Sequence, residues 1–249
     1  MRKESVRVTG HLIRLLFIGV AIVGFCRFAS AQKSWEKKPY TEWSMSEAMQ
    51  VLIDSPWAQT QFEDVSINYG LPANSYEATI RLRSALPIRQ ALLRQKQLLM
   101  NYEKFTAADK ARFDRETSEF LECSDCPKYY IVTLGSSRLL PRSPPNASVV
   151  LDIVWPLRNV PIDVLKANVY LSNDKGDRRY LVRFITPKTE YSEAMFVFPR
   201  LDQQGKPLIT QANKKFYFKI EETVFDKSVP LKRFSFDVSR LIQHGEVVF

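Results

Sequence analysis

Two cysteines separated by two residues, Cys123 and Cys126, have the spacing that most directly suggests chemistry in this sequence. Such a pair can act as a redox centre, supply half of a zinc site or form a structural disulfide. Redox chemistry needs the first thiol at a helix N-terminus, where the helix dipole lowers the thiol pKa. Here a helical pattern precedes the pair and a strand pattern follows it. Glu122 and Asp125 add negative charge, which opposes a reactive thiolate.

The sequence supplies few further ligands for a metal or a haem. A zinc site would need two more ligands, and after residue 31 the chain has no third cysteine and one histidine, His244. Haem attachment would need a histidine where Pro127 stands. We therefore interpret Cys123 and Cys126 as a structural disulfide, with a redox or metal role as the alternative. We predict no catalytic, cofactor-binding or metal-binding residue and no cofactor.

Other catalytic patterns are also missing from the sequence. It has no Gly-x-Ser-x-Gly elbow and no glycine-rich phosphate loop, and it holds eight glycines in all. We expect a non-catalytic binding or interaction protein. The alternative is a hydrolase that uses two carboxylates brought together by folding. The residues to inspect for that alternative are Glu190, Glu193, Asp202, Glu221 and Glu222.

The first 31 residues have the pattern of a secretory signal peptide. Basic residues come first, residues 15–25 are apolar, and residues 29–31 are the small residues Ala-Ser-Ala. The apolar stretch is shorter than a typical membrane-spanning helix. We predict cleavage after Ala31, which leaves Gln32 as the first residue. The expected location is the periplasm or the extracellular space.

Two alternatives concern the same segment. Cys26 can be a lipidation site, but Phe25 is bulky at a position where a lipoprotein peptidase needs a small residue. The segment can also stay attached as an anchor, but Arg27 shortens the apolar stretch. We favour export with cleavage, and we expect no transmembrane segment in the cleaved protein. An oxidising compartment favours the disulfide.

The charge of the chain is modest once this segment is set aside. The whole sequence has a formal charge of +9, and the segment carries five basic residues and one acidic residue. The remainder is therefore near +5, which permits weak attraction to anionic lipid or nucleic acid without arguing for either. We predict no specific nucleic-acid partner. The expected partner is a protein or another envelope component of unidentified kind.

Residues 32–135 form the first region, which we predict to be helix-rich α+β. Ser44 and Glu47 have the spacing of a capping box, which predicts the start of a helix. Residues 59–75 are polar and contain Gly70 and Pro72, so we predict a loop there. Apolar and polar residues alternate from Tyr76 to Arg83, which predicts a strand with one buried face and one charged face.

Three stretches of this region resemble a known family. They are Pro39-Tyr40-Thr41-Glu42-Trp43-Ser44, Asp54-Ser55-Pro56-Trp57-Ala58 and Ser84-Ala85-Leu86-Pro87-Ile88-Arg89-Gln90-Ala91. They are similar to the N-terminal part of exported bacterial proteins that carry a GWxTD domain. The Gly-Trp-x-Thr-Asp signature itself is absent. The resemblance covers about the first half of the chain after residue 31, and it implies an exported protein without implying an activity.

The second half of the chain has a different character. Residues 136–148 contain three prolines and resemble a linker. Residues 149–249 contain short β-rich runs separated by turn residues, including a hairpin signal at residues 173–177. Ala194–Phe198 is apolar on both faces, which predicts a central strand. We therefore predict an α+β protein whose helical first half is followed by an immunoglobulin-like β-sandwich domain.

Basic residues concentrate in two places. The first region contains a basic stretch, Arg81, Arg83, Arg89, Arg94 and Lys96. This stretch can form an anion-binding surface or the solvated face of amphipathic elements, and we favour the solvated face. In the second region, basic and aromatic residues alternate at Lys214, Lys215, Tyr217 and Lys219. Proteins that bind single-stranded nucleic acids have such a composition, and so do half-buried edge strands. We favour the edge strand.

Overall fold

The computed structural model describes residues 34–65, 74–135, 150–151, 154–189, 192–224, 233–243 and 245–249. The predicted signal peptide, the predicted linker, Glu190 and His244 lie outside these residues. The chain divides into two units, Met1–Lys38 and Pro39–Phe249. Within the first unit the structure describes one short helix, α1 (Ser34–Lys37).

The helices of the second unit begin where the local sequence predicts. Ser44 and Glu47 form the predicted capping box, in which each side chain accepts a hydrogen bond from the other residue's backbone N–H. Pro87 lies in the first turn of the next helix, where its missing N–H costs no hydrogen bond. The α-helices are α2 (Met45–Ile53), α3 (Leu86–Leu99), α4 (Ala107–Thr117), α5 (Glu119–Glu122) and α6 (Ile162–Asn168).

Two antiparallel sheets form the core. The strands of the first sheet are β1 (Ala58–Val65), β2 (Asn74–Leu82), β3 (Tyr129–Gly135), β4 (Val150–Leu151), β7 (Arg183–Ile185) and β8 (Ala194–Pro199). Five of them pair in the order β1-β2-β3-β8-β7, and the short strand β4 pairs with β2 in parallel. The second sheet has the order β10-β9-β5-β6. Its strands are β5 (Val169–Asn173), β6 (Arg178–Tyr180), β9 (Lys215–Ile220) and β10 (Phe234–Asp237).

A short third sheet pairs β11 (Ile242–Gln243) with β12 (Glu246–Val247). The hairpin predicted at residues 173–177 is confirmed, since β5 and β6 pair across it. The central strand predicted at Ala194–Phe198 is also confirmed, because β8 lies between β3 and β7. The loop predicted over residues 59–75 is wrong in its first part. β1 occupies it, because its polar residues pair with β2 at the edge of the sheet.

The prediction that β2 has one solvated, charged face is also wrong. Ala78, Ile80 and Leu82 are fully buried, as expected, but Thr79 and Arg81 on the other face are fully buried too. The reason is that α2 covers this second face: Arg81 Nε donates to Leu52 O at 2.7 Å. The same guanidinium pairs with Glu193 at the start of β8. A charged side chain is tolerated there because it has partners.

The two large sheets face each other through phenylalanines. Phe196 on β8 lies 5.3 Å from Phe218 on β9, measured between ring centroids. Phe216 stacks on Phe236 of the neighbouring strand at 4.8 Å. These rings are buried and form the layer between the sheets. The described part of the unit Pro39–Phe249 thus has three layers: α2 and its neighbouring helices, the six-stranded sheet and the four-stranded sheet.

This arrangement differs from the predicted division of the chain. The six-stranded sheet takes β2 and β3 from before residues 136–148, and β7 and β8 from after them. Pro39–Phe249 accordingly forms one compact unit. The α+β class is confirmed, but a helical half followed by an immunoglobulin-like sandwich is not. Among the described helices, none has the length and apolar character needed to cross a membrane.

Candidate functional site

The structure joins Cys123 and Cys126 in a disulfide in the turn between α5 and β3. Cys123 caps the C-terminal end of α5 in a left-handed conformation, with φ of 45°. The disulfide packs on Ile131, with Tyr129 and Met195 beside it. The pair thus lies at the helix end where the dipole does not stabilise a thiolate. The side chains that pack on the disulfide are thus largely apolar, which suits a structural role.

Three of the carboxylates named for a hydrolase form separate ion pairs, and Glu190 lies outside the described residues. Glu193 pairs with Arg81, Asp202 with Arg179 at 3.3 Å, and Glu221 with Lys219 at 2.7 Å. Glu222 starts a separate 3₁₀ turn, Glu222–Val224. Each of the three paired carboxylates therefore serves a different cation on a different element. This arrangement is that of structural ion pairs rather than of two carboxylates that share a substrate.

Hydrogen bonding further removes two of these groups from acid catalysis. The backbone N–H of Lys206 lowers the pKa of Asp202, with a smaller contribution from the N–H of Gln204. The ammonium of Lys219 lowers the pKa of Glu221, and the Tyr170 hydroxyl adds to the effect. A general acid needs a raised pKa. Asp202 and Glu221 are instead held in their ionised form.

The basic and aromatic residues of β9 belong to an inner strand. β9 pairs with β10 on one side and with β5 on the other, so the edge-strand prediction is wrong. Phe216, Phe218 and Ile220 point toward the core and are buried. Tyr217 and Lys219 alternate with them and lie on the opposite face of the sheet. Arg178, Tyr180 and Arg233 are exposed on this face, Tyr217 and Lys219 are half-buried, and Tyr170 is buried beneath them.

Neighbouring strands complete this face. The register places Tyr170 of β5 opposite Lys219, and Ser172 opposite Tyr217. The next pairing places Arg178 opposite Ser172, and Tyr180 opposite Tyr170. Arg233 precedes β10 and covers the ring of Tyr217. We name this surface the tyrosine–arginine face and define it by Tyr170, Arg178, Tyr180, Tyr217, Lys219 and Arg233.

Arginine side chains stack on tyrosine rings across this face. The guanidinium carbon of Arg233 lies 3.9 Å from the ring centroid of Tyr217. The guanidinium carbon of Arg178 lies 4.5 Å from the ring centroid of Tyr170. The rings of Tyr170 and Tyr180 are 5.6 Å apart. A cavity of about 540 Å³ lies over the face, and its lining includes Tyr170, Arg178, Tyr217, Lys219 and Arg233 together with Asp174.

The charges of the face are only partly balanced. Lys219 pairs with Glu221, whereas Arg178 and Arg233 form no ion pair with any described carboxylate. The hydrogen bond that Arg178 donates to the Tyr180 hydroxyl oxygen raises the pKa of Arg178, which keeps this guanidinium fully charged. Burial raises the pKa of Tyr170, so its hydroxyl stays protonated. The face therefore presents two guanidiniums that pair with no described carboxylate, beside the protonated phenol of Tyr170.

A stacked guanidinium has its N–H edge free to donate hydrogen bonds while the ring holds its plane. Tyrosine rings also offer apolar faces on which flat ligand groups can stack. The face can thus bind a ligand that combines ring faces with anionic groups. Sequence reasoning identified Tyr217 and Lys219 but missed Tyr170, Arg178 and Arg233, since only strand pairing brings these strands together.

Comparisons with known proteins give no match: no family model, no curated protein and no solved structure is similar to this chain at a significant level.

Proposed function

We propose that this protein is an exported, non-catalytic binding protein whose tyrosine–arginine face binds an acidic polysaccharide of the cell envelope. The observation that carries the proposal is the stacking of two guanidiniums, Arg178 and Arg233, on two tyrosine rings of one open sheet face. Neither guanidinium has a carboxylate partner among the described residues. One donor of Arg178 is used by the Tyr180 hydroxyl oxygen, and the remaining donors of the two guanidiniums can bind a ligand.

An acidic polysaccharide fits both parts of the face. Its carboxylates accept hydrogen bonds from guanidinium groups, which bind carboxylates in a planar, two-pronged geometry. Its sugar rings have apolar C–H faces, which pack on aromatic side chains such as Tyr180 and Tyr217. A four-stranded sheet spaces these groups along the strands and across them, which suits an extended polymer.

The charge density of the face favours a polysaccharide over a nucleic acid. Proteins that bind nucleic acids neutralise closely spaced phosphates with many lysines and arginines. Here acidic side chains are interspersed with the cations: Glu221 pairs with Lys219, and Asp237 lies 3.6 Å from Lys215. A polymer with about one charge per sugar matches this lower density. The signal-peptide pattern and the modest charge predicted from the sequence support the same assignment.

Binding of polygalacturonate by the purified protein tests the proposal. We expect the double variant Arg178→Gln, Arg233→Gln to bind this polymer about tenfold more weakly, because each lost charge-assisted hydrogen bond costs about 1 kcal/mol or more. Isothermal titration calorimetry measures the affinity. Arg112→Gln is the matched control, since Arg112 is an exposed arginine on α4 that pairs with Asp109.

Neutral dextran and single-stranded oligo-dT serve as comparison ligands. The proposal requires polygalacturonate to bind more tightly than either of them. Tighter binding of oligo-dT would assign the face to nucleic acid instead. Binding that is equal for dextran and polygalacturonate, or that the double variant leaves unchanged, would refute an anion-binding role for Arg178 and Arg233.

A further inference from the structure

Three arginine side chains, Arg83, Arg89 and Arg183, line one cavity beside the Cys123–Cys126 disulfide. The cavity has a volume of about 260 Å³. Its apolar walls are formed by Phe120, Ile131, Ile185 and Met195. We name it the disulfide pocket. Arg89 is buried, so the solvated face predicted for this basic stretch does not extend to it.

Two of the three guanidiniums have protein partners. Arg183 forms an ion pair with Asp125. Arg89 donates from Nη1 to the carbonyl oxygens of Phe120 and Leu121, which lie in the last turn of α5. Its buried Nε finds no acceptor within the described residues. Arg89 therefore stabilises the C-terminal end of α5 and keeps one donor unused.

Arg83 differs from both. Its guanidinium carbon lies 5.0 Å from the ring centroid of Phe120. In the described part of the chain, no carboxylate and no carbonyl oxygen accepts a hydrogen bond from it. A guanidinium carries five N–H donors in a rigid fork. Arg83 is half-buried, so an anion that enters the cavity can replace water as the acceptor of its hydrogen bonds.

Arg83 and Arg89 influence each other inside the pocket, although Glu193 acts on Arg83 and Glu119 acts on Arg89 as opposite charges. Burial lowers the pKa of Arg83; Arg81 lowers it further, whereas Glu193 opposes both effects. Burial likewise lowers the pKa of Arg89, and the charge of Arg83 adds to that effect. These two arginines thus lie close enough to repel each other. An anion between them would relieve both the repulsion and the loss of hydration.

The other residues that line the pocket restrict which anions it can bind. Glu116, Glu119 and Asp125 also line the cavity, so a dianion such as phosphate would meet repulsion. A carboxylate carries one charge and matches the guanidinium fork with two parallel hydrogen bonds. The apolar walls then favour a carboxylate that carries an apolar group. We propose that the disulfide pocket binds an apolar carboxylate, with the carboxylate on Arg83 and the apolar group against Phe120, Ile131 and Met195.

This chemistry can come from the C-terminal residue of a peptide or from a small free acid. The first experiment measures binding of N-acetyl-leucine and N-acetyl-leucinamide to the unmodified protein by calorimetry. We expect the acid to bind about tenfold or more tightly than the amide, because charge-assisted hydrogen bonds contribute about 1.5–3 kcal/mol. Acetate should bind more weakly than N-acetyl-leucine, because it lacks the apolar group. Equal affinities for acid and amide would overturn the proposal.

The second experiment uses Arg83→Gln, with Arg112→Gln as the control. We expect only Arg83→Gln to weaken binding of N-acetyl-leucine, by about tenfold. Unchanged affinity in Arg83→Gln, or tighter binding of inorganic phosphate than of N-acetyl-leucine, would refute the assignment. Should Arg83→Gln fail to fold, the acid–amide comparison in the unmodified protein still decides the question.

A short peptide that ends in leucine distinguishes the two sources. If it binds as tightly as N-acetyl-leucine, the pocket accepts a peptide C-terminus. If only N-acetyl-leucine binds, the pocket accepts a small free acid, and either result supports an apolar-carboxylate site. If neither binds, the proposal fails. Since Arg178 and Arg233 do not line this pocket, the polysaccharide test can fail or succeed independently.

Discussion

Arginines occupy two contrasting surroundings in this protein. On the helix-covered face of the six-stranded sheet, Arg81 is fully buried, bonded to Leu52 O and paired with Glu193. On the outer face of the four-stranded sheet, Arg178 and Arg233 lie on tyrosine rings without a carboxylate partner among the described residues. The same side chain thus helps to hold layers together in one place and offers free donors in the other. Whether an arginine stabilises the fold or is available to bind a ligand depends on its burial and its partners, and the residue type alone does not decide it.

The largest expected loss of stability comes from removing Glu193, the ion-pair partner of the buried Arg81. Glu193→Ala should lower the free energy of unfolding by about 3 kcal/mol, because it leaves the charge of Arg81 buried without its counter-ion. Urea denaturation measures the change. Glu103→Ala is the control, since Glu103 also pairs with an arginine but is 67% exposed, compared with 16% for Glu193. The control should cost less than about 1 kcal/mol. Equal losses in both variants would contradict the contrast between the two surroundings.

The second-largest expected loss of stability comes from adding a methyl group at Gly135, which lies close to the same ion pair. A Cβ at Gly135 would lie 3.0 Å from Glu193 Cγ and 3.1 Å from Arg81 Nη1. Gly135→Ala should therefore destabilise the protein by about 1–3 kcal/mol through overpacking. Urea denaturation of the single and double variants measures the coupling. In the Glu193→Ala background the cost should fall, because the crowding carboxyl chain is gone. Strict additivity of the two changes would show that Gly135 does not act through this pair.

Removing the disulfide, which lies on the same helix-covered face, should cause a smaller loss of stability. It closes a very small loop, so replacing Cys123 and Cys126 by serine should cost about 1–2 kcal/mol and lower the melting temperature by a few degrees. Differential scanning calorimetry measures the shift. Thiolate absorbance against pH in the reduced protein tests the redox alternative. A first thiol that titrates below about pH 7 would contradict a purely structural pair, whereas a value near its ordinary one of about 8.5 would agree with it.

The smallest expected effect on stability is on the tyrosine–arginine face. The double variant Arg178→Gln, Arg233→Gln should lower the free energy of unfolding by no more than about 1 kcal/mol, since each arginine loses an exposed stacking contact with a tyrosine ring but no ion pair with a described residue. Urea denaturation under the conditions used for Glu193→Ala gives the comparison. A loss above about 1 kcal/mol would mean that these arginines hold the sheet together. Their role would then resemble that of Arg81.

Several features follow from the sequence alone because they depend on neighbours along the chain. The capping box at Ser44 and Glu47, the turn between β5 and β6, and the alternation along β9 all arise from residues a few positions apart. The α+β class follows in the same way from the periods of the apolar residues.

The tertiary structure alone decides which faces are covered and which side chains meet. The sequence of β2 shows a face that contains Arg81, but only the docking of α2 and the position of Glu193, 112 residues away, make that face part of the interior. The tyrosine–arginine face likewise needs strand pairing to bring Tyr170, Arg178 and Tyr217 together. Local periodicity records that a strand has two faces, but it carries no information about what packs on each of them. Contacts with residues that are distant in the chain decide which face of a strand is covered and which stays exposed.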